Sequence, residues 1–501
     1  MTSDPTSLPP GGTAIAVDRY LCSHAHLSPS FARYVVTELA APSLRSTGQA
    51  FGVDLIALIR HATAAYRRAM WMRVLLSADL ACLVVAVLLL LVSSSLPYGD
   101  AVGGFAVAAV MTGLVLPYAV ILATMLDAHR YAQRINSAGA DLRDLVRPVD
   151  PRLERRLGEV MTGNVVVFRG GFPFGSCGLP LGSWSIDVDA TKPALDPAGN
   201  PRQVLPFDPI DLHRELTRTV RAAGIPDLRV HNRLFVGGTG MAAVPTLLPD
   251  PMDRPAARVS PQALRLGIAR PRPDARTYLC MEKLSWNGEL VVSLFVRAGL
   301  VAGDLFVEGH AFVLLPVRAE MCALDRLARN TREILWHAAR DTFRSAWRQL
   351  GRSPLDLLRI GMLHLARSRA LAVDRRRILR AQILDRGADT SIRALVADRN
   401  RIYLFALSDE ESILNALRRR MLSGVEQFLD QHGVDTTQFT QQKSNIVNTN
   451  YNIGTALANA MAIGTNAVVG PTGQTQPAAP GTPGAPPTGS VPADPPWAGT
   501  P

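Results

Sequence analysis

Two uninterrupted apolar runs break the mixed hydrophobic and polar pattern of this chain. Residues 74–96 read VLLSADLACLVVAVLLLLVSSSL, and residues 101–126 read AVGGFAVAAVMTGLVLPYAVILATML. About 20 helical residues cross ~30 Å of hydrocarbon, so each run is long enough to span a bilayer. Only Pro97-Tyr98-Gly99-Asp100 separates them, which predicts an antiparallel helical hairpin with both chain ends on one side. Asp79, the one charge in the first run, is expected to snorkel toward the interface. Ala109 and Gly113 lie four apart in the second run, sharing a face that lets another helix approach closely. Pro117 predicts a kink, because it removes a backbone donor.

Helical spacing continues on either side, over 54–73 and 127–146, so residues 51–147 read as one helical unit behind an N-terminal segment, 1–50. Residues 150–318 change character and predict an α+β domain with a mixed, mostly antiparallel sheet. Strand patterns run over 164–168, 184–189, 228–236, 277–284, 289–296 and 305–315. Leu212, Leu216 and Val220 mark a helix over 209–223. Ser285-Trp286-Asn287-Gly288 supplies a hairpin turn, since Asn-Gly tolerates positive φ. The helical period returns over 319–433, as two stretches, 319–350 and 355–384, interrupted at Gly351 and Pro354. A third helical stretch, 393–432, ends at Gly433.

Beyond it, residues 440–470 read as a β-prone Asn/Gly-rich repeat. Val447, Thr449, Tyr451 and Ile453 alternate with asparagines, and Ile453-Gly454-Thr455 recurs as Ile463-Gly464-Thr465. In-register stacking with asparagine ladders would give self-association through 445–470. Residues 471–501 hold ten prolines and five glycines with one charge, Asp494, and predict a disordered tail.

Composition adds direction. Of 501 residues, 53 are Lys or Arg and 42 Asp or Glu, a net charge of +11. Arg60, Arg67, Arg68 and Arg73 precede the first span. Arg130, Arg134, Arg143 and Arg147 follow the second, and the turn between the spans has no basic residue. The positive-inside rule then predicts a multi-pass cell-membrane protein with N- and C-termini in the cytoplasm. Five cysteines exclude a disulfide scaffold, and in the cytoplasm they should be reduced. Residues 352–380 carry eight arginines among Leu357, Leu358, Met362 and Leu365, suiting contact with anionic lipid headgroups. No nucleic-acid-binding signature accompanies the basic charge, so no nucleic-acid partner is expected.

Candidate chemistry is sparse. Asp187 and Asp189 share one strand face, as do Glu308 and His310. Together they could hold a metal or supply an acid and a base. Nothing in the sequence brings the two pairs together, and alternating polar residues on the wet face of a sheet are the preferred reading of both. Cys22, His24 and His26 are zinc-ligand types, but the i, i+2 spacing without a distant partner reads instead as an exposed N-terminal segment. The glycines after Phe168 and Val236 lack Gly-Lys-Ser/Thr and a following helix, so they read as turns. No catalytic, cofactor-binding or metal-ligating residue is therefore assigned.

Phe168-Arg169-Gly170-Gly171-Phe172, Phe306-Val307-Glu308, and Phe428-Leu429-Asp430 with Gly433-Val434-Asp435-Thr436 resemble features of uncharacterised actinobacterial proteins with two transmembrane helices. That resemblance implies no activity and no cofactor. The sequence thus points to a membrane-anchored cytoplasmic interaction or signalling scaffold. The alternative is a membrane-tethered enzyme of the metal-assisted hydrolase type, using Asp187, Asp189, Glu308 and His310.

Overall fold

A computed structural model describes residues 16–92, 99–136, 141–241, 244–322, 331–398 and 404–448. Pro97 and Tyr98 of the predicted turn, the repeat over 449–470 and the tail predicted disordered over 471–501 lie outside the described residues.

The described residues begin with two helices, α1 (Ala16–Leu27) and α2 (Pro29–Ala40). Ser28 caps α2, its hydroxyl accepting from the Phe31 amide, with Pro29 in the first turn. The expectation of an exposed N-terminal segment is overturned here: Leu21, Cys22, Phe31 and Leu39 are fully buried. They pack on Leu58 and Ile59 of α3 (Leu55–Val92), which runs unbroken into the first apolar run as far as Val92. Asp54 caps α3 by accepting from the Ile56 and Ala57 amides. Next comes α4 (Gly99–Asn136), which packs alongside α3 and contains Pro117 without ending there. It stops short of the predicted Val146, and residues 142–145 form a turn. Arg60 on α3 holds Glu154 of α5 (Pro151–Met161) through two 2.7 Å hydrogen bonds, closing a bundle at the base of the hairpin.

Six strands then form one sheet, in the order β1-β3-β4-β5-β6-β2. They are β1 (Val165–Phe168), β2 (Leu179–Asp189), β3 (Leu228–Gly237), β4 (Ala275–Ser285), β5 (Leu290–Val301) and β6 (Asp304–Leu314). Only β1–β3 pair in parallel, so the sheet is mixed and mostly antiparallel, as predicted. The β4–β5 turn has positive φ at Trp286, Asn287 and Gly288. Helix α6 (Pro209–Ala222) follows β2, and α7 (Pro261–Ala269) follows β3.

One sheet face buries Ile186, Leu279, Leu294 and Val307 against α6, α10 (Leu404–Gln431) and α11 (Thr437–Asn448). The other face is aromatic. Phe174 stacks on Phe295 at 4.8 Å, beside Phe235, Tyr278 and Phe312. The loop at Phe51 and the short α9 (Ile392–Val396) complete that side.

Helix α8 (Thr331–Leu379) corrects a second expectation. It passes through Gly351 and Pro354 without interruption. Ser353 satisfies one carbonyl by donating to Gln349 O at 2.6 Å. Ala346 and Leu350 are buried against Leu76 and Ile121 of the hairpin. Tertiary packing of this kind offsets the ~3 kcal/mol cost of an internal proline.

Gly433, at φ 74°, terminates α10, and the Val434 amide reaches back to Leu429 O. Asn445 to Asn448 belong to α11 rather than to a β-prone repeat, because Ile446 and Val447 pack onto the sheet core. Gln442 on α11 caps the open edge of β2. Its amide accepts from Asp187 N at 3.3 Å and donates to Asp187 O at 2.9 Å.

Candidate functional site

The largest chemically coherent surface runs over α3, α4 and α8. Only 17% of the most apolar window of α3 and 22% of that of α4 is buried. A core helix of a water-soluble protein would bury most of such a stretch. Here Leu88, Leu91, Phe105 and Val115 point outward, which in water would be a large apolar patch. These two helices are candidate membrane spans by length, composition and exposure. Gly113 faces inward. A methyl group at Gly113 would lie 2.9 Å from Leu83 Cδ1 and 3.5 Å from Asp79 Oδ1. Asp79 is therefore buried in the seam between the two helices.

Helix α8 lies across the terminus-side ends of both spans. Phe343 and Trp347 meet Tyr118 at 6.0 and 6.2 Å. Farther along, Arg73 faces Asp356 at 3.7 Å, and Arg367 donates to Thr37 Oγ1 at 2.9 Å. The rest of α8 is open. Trp336, Leu355, Leu358 and Met362 are more than half exposed, beside the exposed arginines Arg359, Arg369 and Arg376. The amphipathic stretch expected over 352–380 thus continues N-terminally to Leu335. Trp71 on α3 and Trp336 and Trp347 on α8 are exposed, and tryptophan is a residue type enriched at membrane interfaces.

Pairing of β2 with β6 brings Asp187, Asp189, Glu308 and His310 to one face. Ser185 is opposite Glu308, and Ser183 opposite His310. Their environments differ. Glu308 accepts from Arg297 Nε at 2.7 Å and from the Tyr278 hydroxyl at 3.0 Å. Burial works to raise its carboxyl, but Arg297 outweighs this and holds it below its ordinary value. Burial lowers His310. Asp189 accepts from the Thr191 amide and hydroxyl at 2.9 and 2.5 Å, so it caps a turn. Asp187 is exposed at the sheet edge. An ion-paired carboxylate, a turn cap and a solvated edge residue form no acid–base pair around a common point.

Cys22 and His26 lie inside the α1–α3–α4 bundle, where burial raises the Cys22 thiol and lowers His26. Among the described residues, no three His, Cys, Asp or Glu side chains gather as a metal-binding group. A pattern search alone does not find the arginines that line a cleft on the aromatic sheet face. They come from α5, the turn after β1, β3 and the 249–257 loop, four separate stretches.

A family comparison matches residues 183–465 to the AbeC-like domain, from β2 to beyond α11. No curated protein and no solved structure matches the chain.

Proposed function

The chain belongs to the AbeC-like domain family over residues 183–465, and on that premise we propose that it is a membrane-anchored interaction or signalling scaffold without a catalytic site. The hairpin holds the α+β domain against the cytoplasmic face of the cell membrane, with both termini inside. The arginines flanking the two spans support this orientation.

The observation that carries the reading is the continuous exposed apolar surface over α3, α4 and α8. Helix α8 lies in the headgroup layer, its leucines facing acyl chains and its arginines meeting anionic phosphates. Each basic residue near such a surface contributes about 1 kcal/mol. The repeat over 449–470 adds self-association, and the tail reaches for protein partners.

Three measurements test this. The intact protein should stay with membranes after alkaline carbonate washing, and recovery in the soluble fraction would overturn the anchor. In reconstituted vesicles, amide exchange over 352–380 should slow when anionic lipid replaces zwitterionic lipid; indifference to lipid charge would remove the headgroup role. Deleting 449–470, which spares α11, should lower the oligomeric state; an unchanged assembly and partner set would remove the self-association role.

A further inference from the structure

A cleft of about 380 Å³ opens on the aromatic face of the sheet, on the side away from α6 and α10. The 46–52 loop, the end of α5, β1, β3 and the 249–257 loop wall it. Its volume falls in the range of small-molecule sites, about 300–1,000 Å³.

Five arginines line it: Arg156 on α5, Arg169 just after β1, Arg229 and Arg233 on β3, and Arg254 in the loop. Arg169 pairs with Asp385 and Asp389. Arg233 is neutralised by the buried Glu282. The other three form no ion pair among the described residues. Arg254 donates to Ser43 O at 2.9 Å, Ala41 O at 2.7 Å and Thr47 Oγ1 at 3.2 Å, all uncharged acceptors. Arg156 donates to Leu39 O, and its buried Nε meets no acceptor. Gln49 Nε2, in the same wall, is likewise a buried donor without an acceptor.

Five carboxylates also line the cleft: Glu159, Asp250, Asp253, Glu282 and Asp389. Asp389 pairs with Arg45 and Arg169, while Asp250 and Asp253 accept from the backbone amides of Met252 and Arg254. Glu159 is exposed at the rim. Burial lowers both Arg156 and Arg254, only partly opposed by Asp253 and, for Arg254, by Glu38, as for cations held in a poorly solvated place.

Arg156 Nε and Gln49 Nε2 are thus buried donors without acceptors, and the arginines without an ion pair, Arg156, Arg229 and Arg254, come from three separate stretches of the chain. That arrangement suits an oxyanion with several oxygens better than a single carboxylate, which one arginine fork satisfies. Phe168 and Phe172 on one wall add a flat apolar surface for an organic group.

We propose that this cleft binds a small phosphate-bearing organic anion, its phosphate oxygens held by Arg156, Arg229 and Arg254 with the Gln49 amide, and its organic part set against Phe168 and Phe172. The proposal is independent of the membrane reading: it holds whether or not α8 touches lipid.

Titration calorimetry on the full-length protein in detergent tests it, with ATP, inorganic phosphate and the soluble inositol 4,5-bisphosphate headgroup as separate probes. ATP is expected to bind at least tenfold more tightly than inorganic phosphate, which lacks an organic group. Tighter binding of the inositol headgroup than of ATP would also support the cleft, and would identify a lipid headgroup as its source of phosphate. R229Q should weaken the best probe at least tenfold while leaving the melting temperature unchanged, and E159Q at the rim should not weaken it. As a second readout that needs no variant, the best probe should slow amide exchange over residues 46–52. Absence of binding by all three probes, or binding that R229Q and R156Q leave unchanged, would overturn the proposal.

Discussion

His26 Nε2 and His61 Nδ1 lie 2.9 Å apart at the base of the two spans, and their surroundings fix which of them donates. His61 Nε2 faces Leu142 O at 2.9 Å, and a carbonyl only accepts, so that nitrogen carries the proton. His61 Nδ1 must then accept from His26 Nε2. The remaining nitrogen, His26 Nδ1, faces the Arg68 guanidinium at 3.4 Å, which only donates. Both rings are neutral, each in one tautomer, and Tyr131 stacks on His26 at 4.6 Å. The chain of bonds ties α1 and α3 to the turn after α4.

Acid should undo this contact. Burial, with His61 and Arg68 nearby, lowers His26 to about 2, and burial lowers His61 to about 4. In the unfolded chain both titrate near 6.5. The unfolded state therefore takes up protons that the folded state refuses. The stability this pair supplies is complete above about pH 6.5 and is lost as pH falls toward 4. The expected slope is up to about 1.4 kcal/mol per pH unit for each histidine. Thermal unfolding in detergent between pH 8 and 4.5 checks it, and H61Q should flatten the profile. A melting temperature independent of pH over that interval would contradict the assignment.

Asp18 carries the opposite sign. Burial raises its carboxyl, only partly opposed by the Asp54 amide that donates to it at 2.8 Å, and the net value is about 7. The folded state keeps this proton to a higher pH than the unfolded chain. Stability is thus lost as pH rises from about 4 to 7. D18N retains an acceptor for the Asp54 amide without the charge. It should stabilise the bundle by roughly 2–4 kcal/mol at pH 8 and much less at pH 4.5, as read from denaturant unfolding at the two pH values.

How far the sequence announced this structure depends on whether a signal was local. The two spans, the alternating strands over 184–189 and 277–296, the α6 stripe of Leu212, Leu216 and Val220, and the Gly433 cap were all legible, because short-range periodicity decides them. Helices α1 and α2 were not. Cys22 and His26 read as part of an exposed N-terminal segment, yet i, i+4 spacing puts both on the buried face of a helix. Pro354 read as a break, because proline weighs heavily in any local account; burial of Ala346 and Leu350 against the hairpin, visible only in three dimensions, overrides it. The alternation at Asn445–Asn448 was real but too short to compete with packing of Ile446 and Val447. The arginine cleft had no linear motif at all.

The hairpin seam should be sensitive to size at Gly113. G113A sets a methyl group 2.9 Å from Leu83 Cδ1, the flexible end of a side chain, so a shift of Leu83 absorbs it at about 1 kcal/mol or less. G113L has no such outlet and should cost about 1–3 kcal/mol by forcing α3 and α4 apart. Thermal stability in detergent, read together with the yield of an engineered α3–α4 cross-link, separates the two. Equal behaviour of G113A and G113L would mean the seam is loose.

The buried pair beneath the cleft should respond asymmetrically. Glu282 is almost wholly buried and pairs with Arg233, while His231 Nε2 lies 3.7 Å away. E282Q leaves Arg233 charged and uncompensated and should destabilise by about 3–5 kcal/mol. The double variant R233M/E282L removes both charges and should recover most of that loss. Denaturant midpoints of the single and double variants decide the matter, and a double variant as unstable as E282Q would show that packing, not charge, is at stake.

The small contact between Gln442 and Asp187 acquires weight from where this protein lives. Tethering to a sheet of lipid crowds identical copies into a thin layer, where encounters between neighbours far exceed those in free solution. An unguarded outermost strand in such company invites strand-to-strand annealing of one copy onto the next. One amide side chain, delivered by the last described helix, mimics the missing neighbour and occupies the position at which such annealing would begin.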